Sequence, residues 1–310
     1  MSDVKINSSQ VDDPAIEVFV AKINSYISAT VSLIGNILVL CLVNVKRDRP
    51  KFSINSTSII YVSISAIVFS VNCVLSCPMI HIHSKELLII NNGILKNVLL
   101  GRLSLCIFAF FVLSSAMFSA TSLFLKYMAI CRNQFVSNKK LHMIYSIQCL
   151  VAMVWMLTFA NAVWFQHAVI LDNHQHPLKG RPALFATMDQ KSLTLSLSLL
   201  MVLLISAIAL MLFCSQRITA TINTLQDHRH KNLQKRTFCL LLVQTGLPFL
   251  LLHVPILLEA VLPVKYIADL LLDSLSLLYS WYPACIPFVV LWNLRTKLAS
   301  VFTNYATNKA

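Results

Sequence analysis

Residues 233–255 read LQKRTFCLLLVQTGLPFLLLHVP. From Thr237 to Leu258 the chain carries no Asp, Glu, Lys or Arg, and a helix of about twenty apolar residues spans a bilayer core. The stretch nevertheless holds Gln244, Pro248, His253 and Pro255, and it opens on Lys235 and Arg236. Lipid penalises exposed polar groups, so such side chains face the bundle interior or a cavity. Gln244 and His253 therefore either tie neighbouring helices together or line a site between them. Pro248 removes a backbone hydrogen bond and kinks its helix, which a membrane tolerates where neighbours re-satisfy the freed carbonyl. A bent helix with a basic foot is a lever. A push on its outer half swings Lys235 and Arg236.

The rest of the chain is built from similar runs. Of 310 residues, 57% are hydrophobic and 12% charged, where a soluble domain carries about 25% charged residues. Stretches without Asp, Glu, Lys or Arg cover Tyr26–Val45, Ser53–Ser84, Leu103–Leu125, Leu141–Leu171, Ser192–Gln216, Thr237–Leu258 and Ser274–Leu294. They predict an all-α integral membrane bundle with transmembrane helices over 25–45, 56–79, 100–130, 142–165, 192–214, 237–262 and 267–293. Residues 1–24 are then an extracellular N-terminus and 294–310 a cytoplasmic tail. In the tail, Leu294, Leu298, Val301 and Phe302 have the spacing of a short amphipathic helix. The polar loop between helices 5 and 6 extends both into the cytoplasm, and the long loop between helices 4 and 5 is the expected lid over any pocket.

Charge placement orients the bundle. Sixteen of the twenty-five Lys and Arg follow helices 1, 3, 5 and 7, together with only two acids, Asp48 and Asp227. The positive-inside rule puts that side in the cytoplasm and the N-terminus outside. A nucleic-acid partner would need one clustered basic patch, so the net charge of +13 speaks for a lipid bilayer and against nucleic acid. Asn7-Ser8-Ser9 is a glycosylation acceptor on the outer side, whereas Asn55-Ser56-Thr57 falls at the cytoplasmic mouth of helix 2. Cys77 and Cys106 both fall toward outer helix ends, where a disulfide is open to them. The loop between helices 4 and 5 has no cysteine. His81 and His83, two apart near the end of helix 2, would diverge on a helix and make a poor metal site.

Several motifs carry a family likeness. Leu233-Gln234, Phe238, Gln244, Pro248 and Pro255 resemble helix 6 of the nematode seven-helix chemoreceptors of the Str, Srh and Srd groups. Tyr282-Pro283-Ala284-Cys285-Ile286-Pro287 with Leu294-Arg295 resembles their helix 7. Gly35-Asn36 is similar to a pair common in rhodopsin-like receptors, and Lys126-Tyr127-Met128-Ala129-Ile130-Cys131-Arg132 resembles the family's helix 3 terminus. Departures are specific: Lys126 stands for the usual Arg and loses its forked hydrogen bonding, Leu125 for an acid, and Ile286 and Val290 for polar residues. The resemblance runs from helix 1 to the tail, essentially the whole chain, and implies that 1–310 is one seven-helix receptor domain. It implies a chemosensory receptor in the cell membrane, of a sensory-neuron cilium for instance. There an outside small molecule biases two helix arrangements and the inner face recruits a heterotrimeric G protein. It implies no enzyme and no cofactor.

The residues offered by this reading each have a plainer alternative. Lys126, Tyr127, Arg132, Lys235, Arg236 and Arg295 either face the G protein or serve topology and anionic lipid. Gln244, Pro248, Pro255, Pro283 and Pro287 are hinge or switch candidates. Arg102 and Asp273 are pocket candidates as ligand contacts or as a pair; otherwise Asp269 and Asp273 are acids at a helix start and Arg102 snorkels. Trp281 and Tyr282 either floor a pocket or pack the core. Asn72, Gln148 and Asn161 are expected interhelical hydrogen bonders. An opsin lacks its helix 7 lysine here, and an insect-type ligand-gated channel has the opposite orientation. A transporter lacks its repeat, and a bitter-taste-type receptor fits helices 6 and 7 less well.

Overall fold

In the computed structural model, which describes residues 14–46, 53–83, 86–134, 136–164, 182–187, 190–225, 228–254 and 277–292, the apolar runs are long helices. They are α1 (Pro14–Lys46), α2 (Ser53–Ser76), α3 (Val98–Cys131), α4 (Asn138–Trp164), α5 (Lys191–Asn223) and α6 (His228–Pro248), with α7 over Leu277–Trp292. Among the described residues six helices are long and apolar enough to cross a membrane, and the described part of α7 is a shorter apolar stretch.

α3 is the axis of the bundle. In its most apolar stretch 78% of residues are buried, against 22–33% in the other five spans. It packs on α2, α4, α5 and α6. The outer helices turn large apolar side chains outward instead, among them Ile147, Leu150 and Leu157 of α4 and Leu195, Val202 and Ile205 of α5. In water so broad an apolar surface would aggregate; around a membrane bundle it meets lipid tails. Polar residues sit at the seams. Asn72 donates to the Ser104 carbonyl at 3.1 Å while Ser104 Oγ donates back to Asn72 Oδ1 at 2.8 Å, joining α2 to α3. Gln148 donates to the Met117 carbonyl at 3.1 Å and to Thr121, and Trp155 Nε1 donates to the Ser196 carbonyl at 3.0 Å. Bonds of this kind contribute about 0.6 kcal/mol each in a membrane. Asn161, expected beside them, is exposed on the outside of α4.

The outer end differs from expectation. Helix 2 stops at Ser76, not at residue 79, because Cys77 turns left-handed at φ 35° and Pro78 cannot continue the helix. The apolar run goes on as strand β1 (Pro78–His83), which pairs antiparallel with β2 (Glu86–Asn91), and β2 pairs with β3 (Ala183–Thr187) from the loop between α4 and α5. His81 and His83 therefore lie in a strand, opposite Leu88 and Glu86. An unbroken apolar run does not distinguish strand from helix by period alone. The predicted lid is thus partly a strand, and it is buried deeply. Ile80, Ile89 and Leu184 face each other across the sheet and join the main core with Leu87 and Ala186. Met79, Ile90, Ala183 and Phe185, which alternate to the opposite face, are buried as well.

Other boundaries move outward. α1 begins at Pro14, so residues 14–24 belong to the first helix and not to a free N-terminus; proline suits a first helical position. α4 starts at Asn138, where the Ser137 carbonyl accepts from the Leu141 N–H at 3.0 Å. α5 runs to Asn223 and α6 starts at His228, so both helices extend beyond their apolar runs. Cys77 and Cys106 are both free thiols. Cys77 Sγ points instead to Ser25 Oγ, 3.8 Å away on α1, so no bridge ties the outer ends of α2 and α3.

Candidate functional site

The two prolines of α7 organise one seam. Pro287 has no N–H to give the carbonyl one turn back, which belongs to Pro283. α1 supplies the missing donors: Ser32 Oγ reaches that carbonyl at 3.1 Å and Asn36 Nδ2 at 3.2 Å. Asn36 also donates to the Ser32 carbonyl at 2.9 Å, and Ser70 of α2 donates to Ser32 Oγ at 2.6 Å. All three side chains are buried. The backbones come this close because residue 35 is glycine: a Cβ there would lie 2.6 Å from Pro287 Cγ. Gly35-Asn36 and Pro283–Pro287, read separately in the sequence, are one contact. Farther out, Asn24 donates to the Leu277 carbonyl and to Ser280 Oγ, each at 2.9 Å, and accepts from Trp281 Nε1 at 2.8 Å. Trp281 thus lies at the α1 seam.

Pro248 does more than bend α6. It is followed by a π-turn over Phe249–His253, where the Val254 N–H reaches back five residues to the Phe249 carbonyl. The wider turn rotates the following residues relative to an ideal α-helix and brings His253, fully buried, against α3. Its Nε2 lies 2.9 Å from the Val112 carbonyl, and its Nδ1 lies 2.9 Å from the Pro248 carbonyl. Gln244 is half-buried one turn before the proline. Pro255 lies outside the described residues.

At the inner end, α3, α5 and α6 share a second apolar cluster of Leu123, Cys214, Ile218, Ile222 and Phe238, with Tyr127 packed on it. Arg132 Nε donates to Tyr127 Oη at 3.2 Å, the Tyr127 ring lies 5.8 Å from Phe213, and Arg217 stacks on Phe213 at 5.6 Å. α3 then ends in a left-handed Asn133 at φ 49°, with the Gln134 N–H on the Met128 carbonyl at 3.0 Å. Asparagine tolerates that conformation better than most residues. Lys126 is half-buried, and Lys235 and Arg236 stand exposed on α6. Lys231 Nζ caps α5 by donating to the Asn223 carbonyl at 2.7 Å. The structure therefore gathers Tyr127, Arg132 and the α5–α6 feet on one end; Arg295 lies outside the described residues.

Among the described residues, the outer candidates Arg102, Trp281 and Tyr282 have different neighbours. Arg102 stacks on Trp164 of α4, 5.8 Å from the ring centroid; Asp269 and Asp273 lie outside the described residues, as does Asn7. Tyr282 is buried in an aromatic group with Phe69 at 5.9 Å, which also holds Phe108, Phe111 and Tyr279. A water-sized cavity lined by Ser25, Cys73, Cys77, Tyr279 and Ser280 lies beside this group. Burial pushes the Cys77 thiol up, with the Ser25 hydroxyl and Lys22 offsetting part of the shift.

The family model described as serpentine type seven-transmembrane GPCR chemoreceptor Str matches residues 21–170 and 186–295. The chain belongs to the Str family of serpentine chemoreceptors. Among solved structures, the crystal structure of squid rhodopsin superposes with a TM-score of 0.62 at 14% identity, covering 94% of this chain and 87% of that one. That likeness is one of fold, the seven-helix receptor bundle. No curated protein sequence matches the chain. The Str chain is accordingly a multi-pass membrane protein of a receptor family rather than an enzyme family.

Two groups in this Str receptor escaped the sequence reading. Ser32 and Ser70 gave no signal of their own, although a proline four residues after another in helix 7 already implied an orphan carbonyl needing donors. His253 was read as an interior polar group, but its partner is set by the π-turn, which no motif announces.

Proposed function

We propose that this Str receptor is a cell-surface chemosensory receptor, with its N-terminus outside, that passes binding of an external small molecule to a heterotrimeric G protein. The observation that carries the proposal is the build of α6. Its exposed Lys235 and Arg236 lie on the rod that ends, past Pro248, in a π-turn bonded to α3. A ligand that binds one arrangement of α6 and α7 more tightly than the other moves the equilibrium by that difference in affinity. Converting a population from 1:99 to 99:1 takes a preference of about 10⁴-fold. Arg102, Asp273, Trp281 and Tyr282 stay in the proposal as outer-half candidates for ligand contact. Lys126, Tyr127, Arg132, Lys235, Arg236 and Arg295 remain the candidate G-protein surface. A sensory-neuron cilium suits such a receptor.

The test has two arms. An epitope tag placed before Tyr26 is expected to bind antibody on intact cells, and a tag after Arg295 only after permeabilisation. A screen of small molecules with a cytosolic second-messenger readout is expected to yield a saturable response that Lys235→Glu with Arg236→Glu abolishes while surface expression persists. A tag before Tyr26 that is hidden on intact cells overturns the orientation, and with it the receptor reading.

A further inference from the structure

His253 is surrounded by more acceptors than it can serve. Its two ring nitrogens each lie 2.9 Å from a backbone carbonyl, Nε2 from Val112 on α3 and Nδ1 from Pro248 on its own helix. A neutral imidazole has one N–H and one lone pair, so it donates to one of these carbonyls at a time. An imidazolium would satisfy both, but the facing spans offer it no counter-charge. Residues 103–125 of α3, 192–216 of α5, 237–258 of α6 and 274–294 of the α7 segment contain no Asp, Glu, Lys or Arg. Their other ionisable side chains are the thiols of Cys106, Cys214, Cys239 and Cys285 and the phenols of Tyr279 and Tyr282. A lone buried charge is costly. The Phe249 ring, 4.8 Å from the imidazole centroid, covers it further.

We propose that His253 is a two-position hydrogen-bond latch. With Nε2 protonated it ties α6 to α3 at the Val112 carbonyl; with Nδ1 protonated it closes onto Pro248 within α6 and releases α3. The exchange moves one proton between the ring nitrogens and leaves the histidine N–H paired in both positions, so α6 separates from α3 without baring a buried donor. His253 is thus a positioning residue, and its balance is tunable. Ser115 Oγ also donates to the Val112 carbonyl, at 2.8 Å, and competes with His253 for the same oxygen.

The experiment is ¹⁵N NMR of the full chain in lipid nanodiscs with labelled histidine. His253-Val254 is the only His-Val pair in the sequence, so a labelled His carbonyl beside a labelled Val nitrogen assigns it without any variant. The expected spectrum shows one protonated and one bare nitrogen averaging between the two tautomers at neutral pH. Ser115→Ala removes the competitor and shifts the population toward the Nε2–H form by roughly twofold to tenfold, the range expected for one hydrogen bond. Two protonated nitrogens at neutral pH would overturn the latch. So would a single frozen tautomer, or a population that Ser115→Ala leaves unmoved. None of these outcomes depends on a ligand or on G-protein coupling, so the latch and the receptor proposal fail separately.

Discussion

Gly35 shows what one missing methyl group does in a membrane bundle. Helices in lipid gain little from hydrophobic contact and depend on close approach, and Gly35 lets α1 lie directly on the Pro287 ring. Gly35→Val is expected to force the two helices apart at a cost of about 1–3 kcal/mol, read as a lower Tm in detergent and reduced surface expression. An unchanged Tm would mean that α1 is free to shift. Cys77 is the converse case, a side chain in the left-handed region at φ 35° where glycine is the usual occupant. Cys77→Gly loses the buried thiol but relieves the backbone, whereas Cys77→Ala loses the thiol and keeps the strain. The glycine variant should be the more stable of the two, by about 1–2 kcal/mol, in a thermal unfolding series. All nine cysteines are free, so alkylating the unfolded, unreduced protein is expected to label nine thiols. A mass corresponding to seven would restore a bridge.

At the scale of the element, α6 and α7 are both helices broken by proline, but their orphaned backbone groups are handled differently. In α7 the freed Pro283 carbonyl is taken over by Ser32 and Asn36 from another helix, which makes that seam a fixed anchor. In α6 the chain widens into a π-turn and sets the His253 ring against the Val112 carbonyl of α3. The α7 seam is thus closed by two donors from α1, while α6 meets α3 through the His253 ring and the inner apolar cluster. Pro248→Ala restores a helix hydrogen bond and is expected to straighten α6, keeping surface expression while impairing ligand-induced signalling in the cytosolic readout. Dose–response curves identical to the wild type would remove the lever from the mechanism. Ser32→Ala combined with Asn36→Leu, by contrast, should lower stability by about 1–2 kcal/mol through the bared carbonyl, measured as a drop in Tm.

For the molecule as a whole, α3 is the post on which the other elements hang, and its buried face is continuous from the sheet at the outer end to Tyr127 at the inner one. The outer sheet is joined to it covalently and by contact. The Asn91 side chain donates to the Gly101 carbonyl at 3.3 Å, its N–H donates to the Pro182 carbonyl at 2.8 Å, and a Cβ on Gly101 would meet Pro182 at 2.5 Å. The start of β3 therefore packs directly on the first turn of α3. By itself the sequence determined the bundle class and the cationic margins, because hydrocarbon length and the cost of charge in lipid are written in composition and run length. It also supplied the motifs of helices 6 and 7 that mark the family. The tertiary structure alone decided that the apolar stretch after Cys77 is a strand. It decided too that Gly35, Asn36, Pro283 and Pro287 form one contact, and that His253 meets Val112. Those facts depend on which groups come within hydrogen-bonding or van der Waals reach after packing, and pairings between residues hundreds of positions apart leave no local period in a chain.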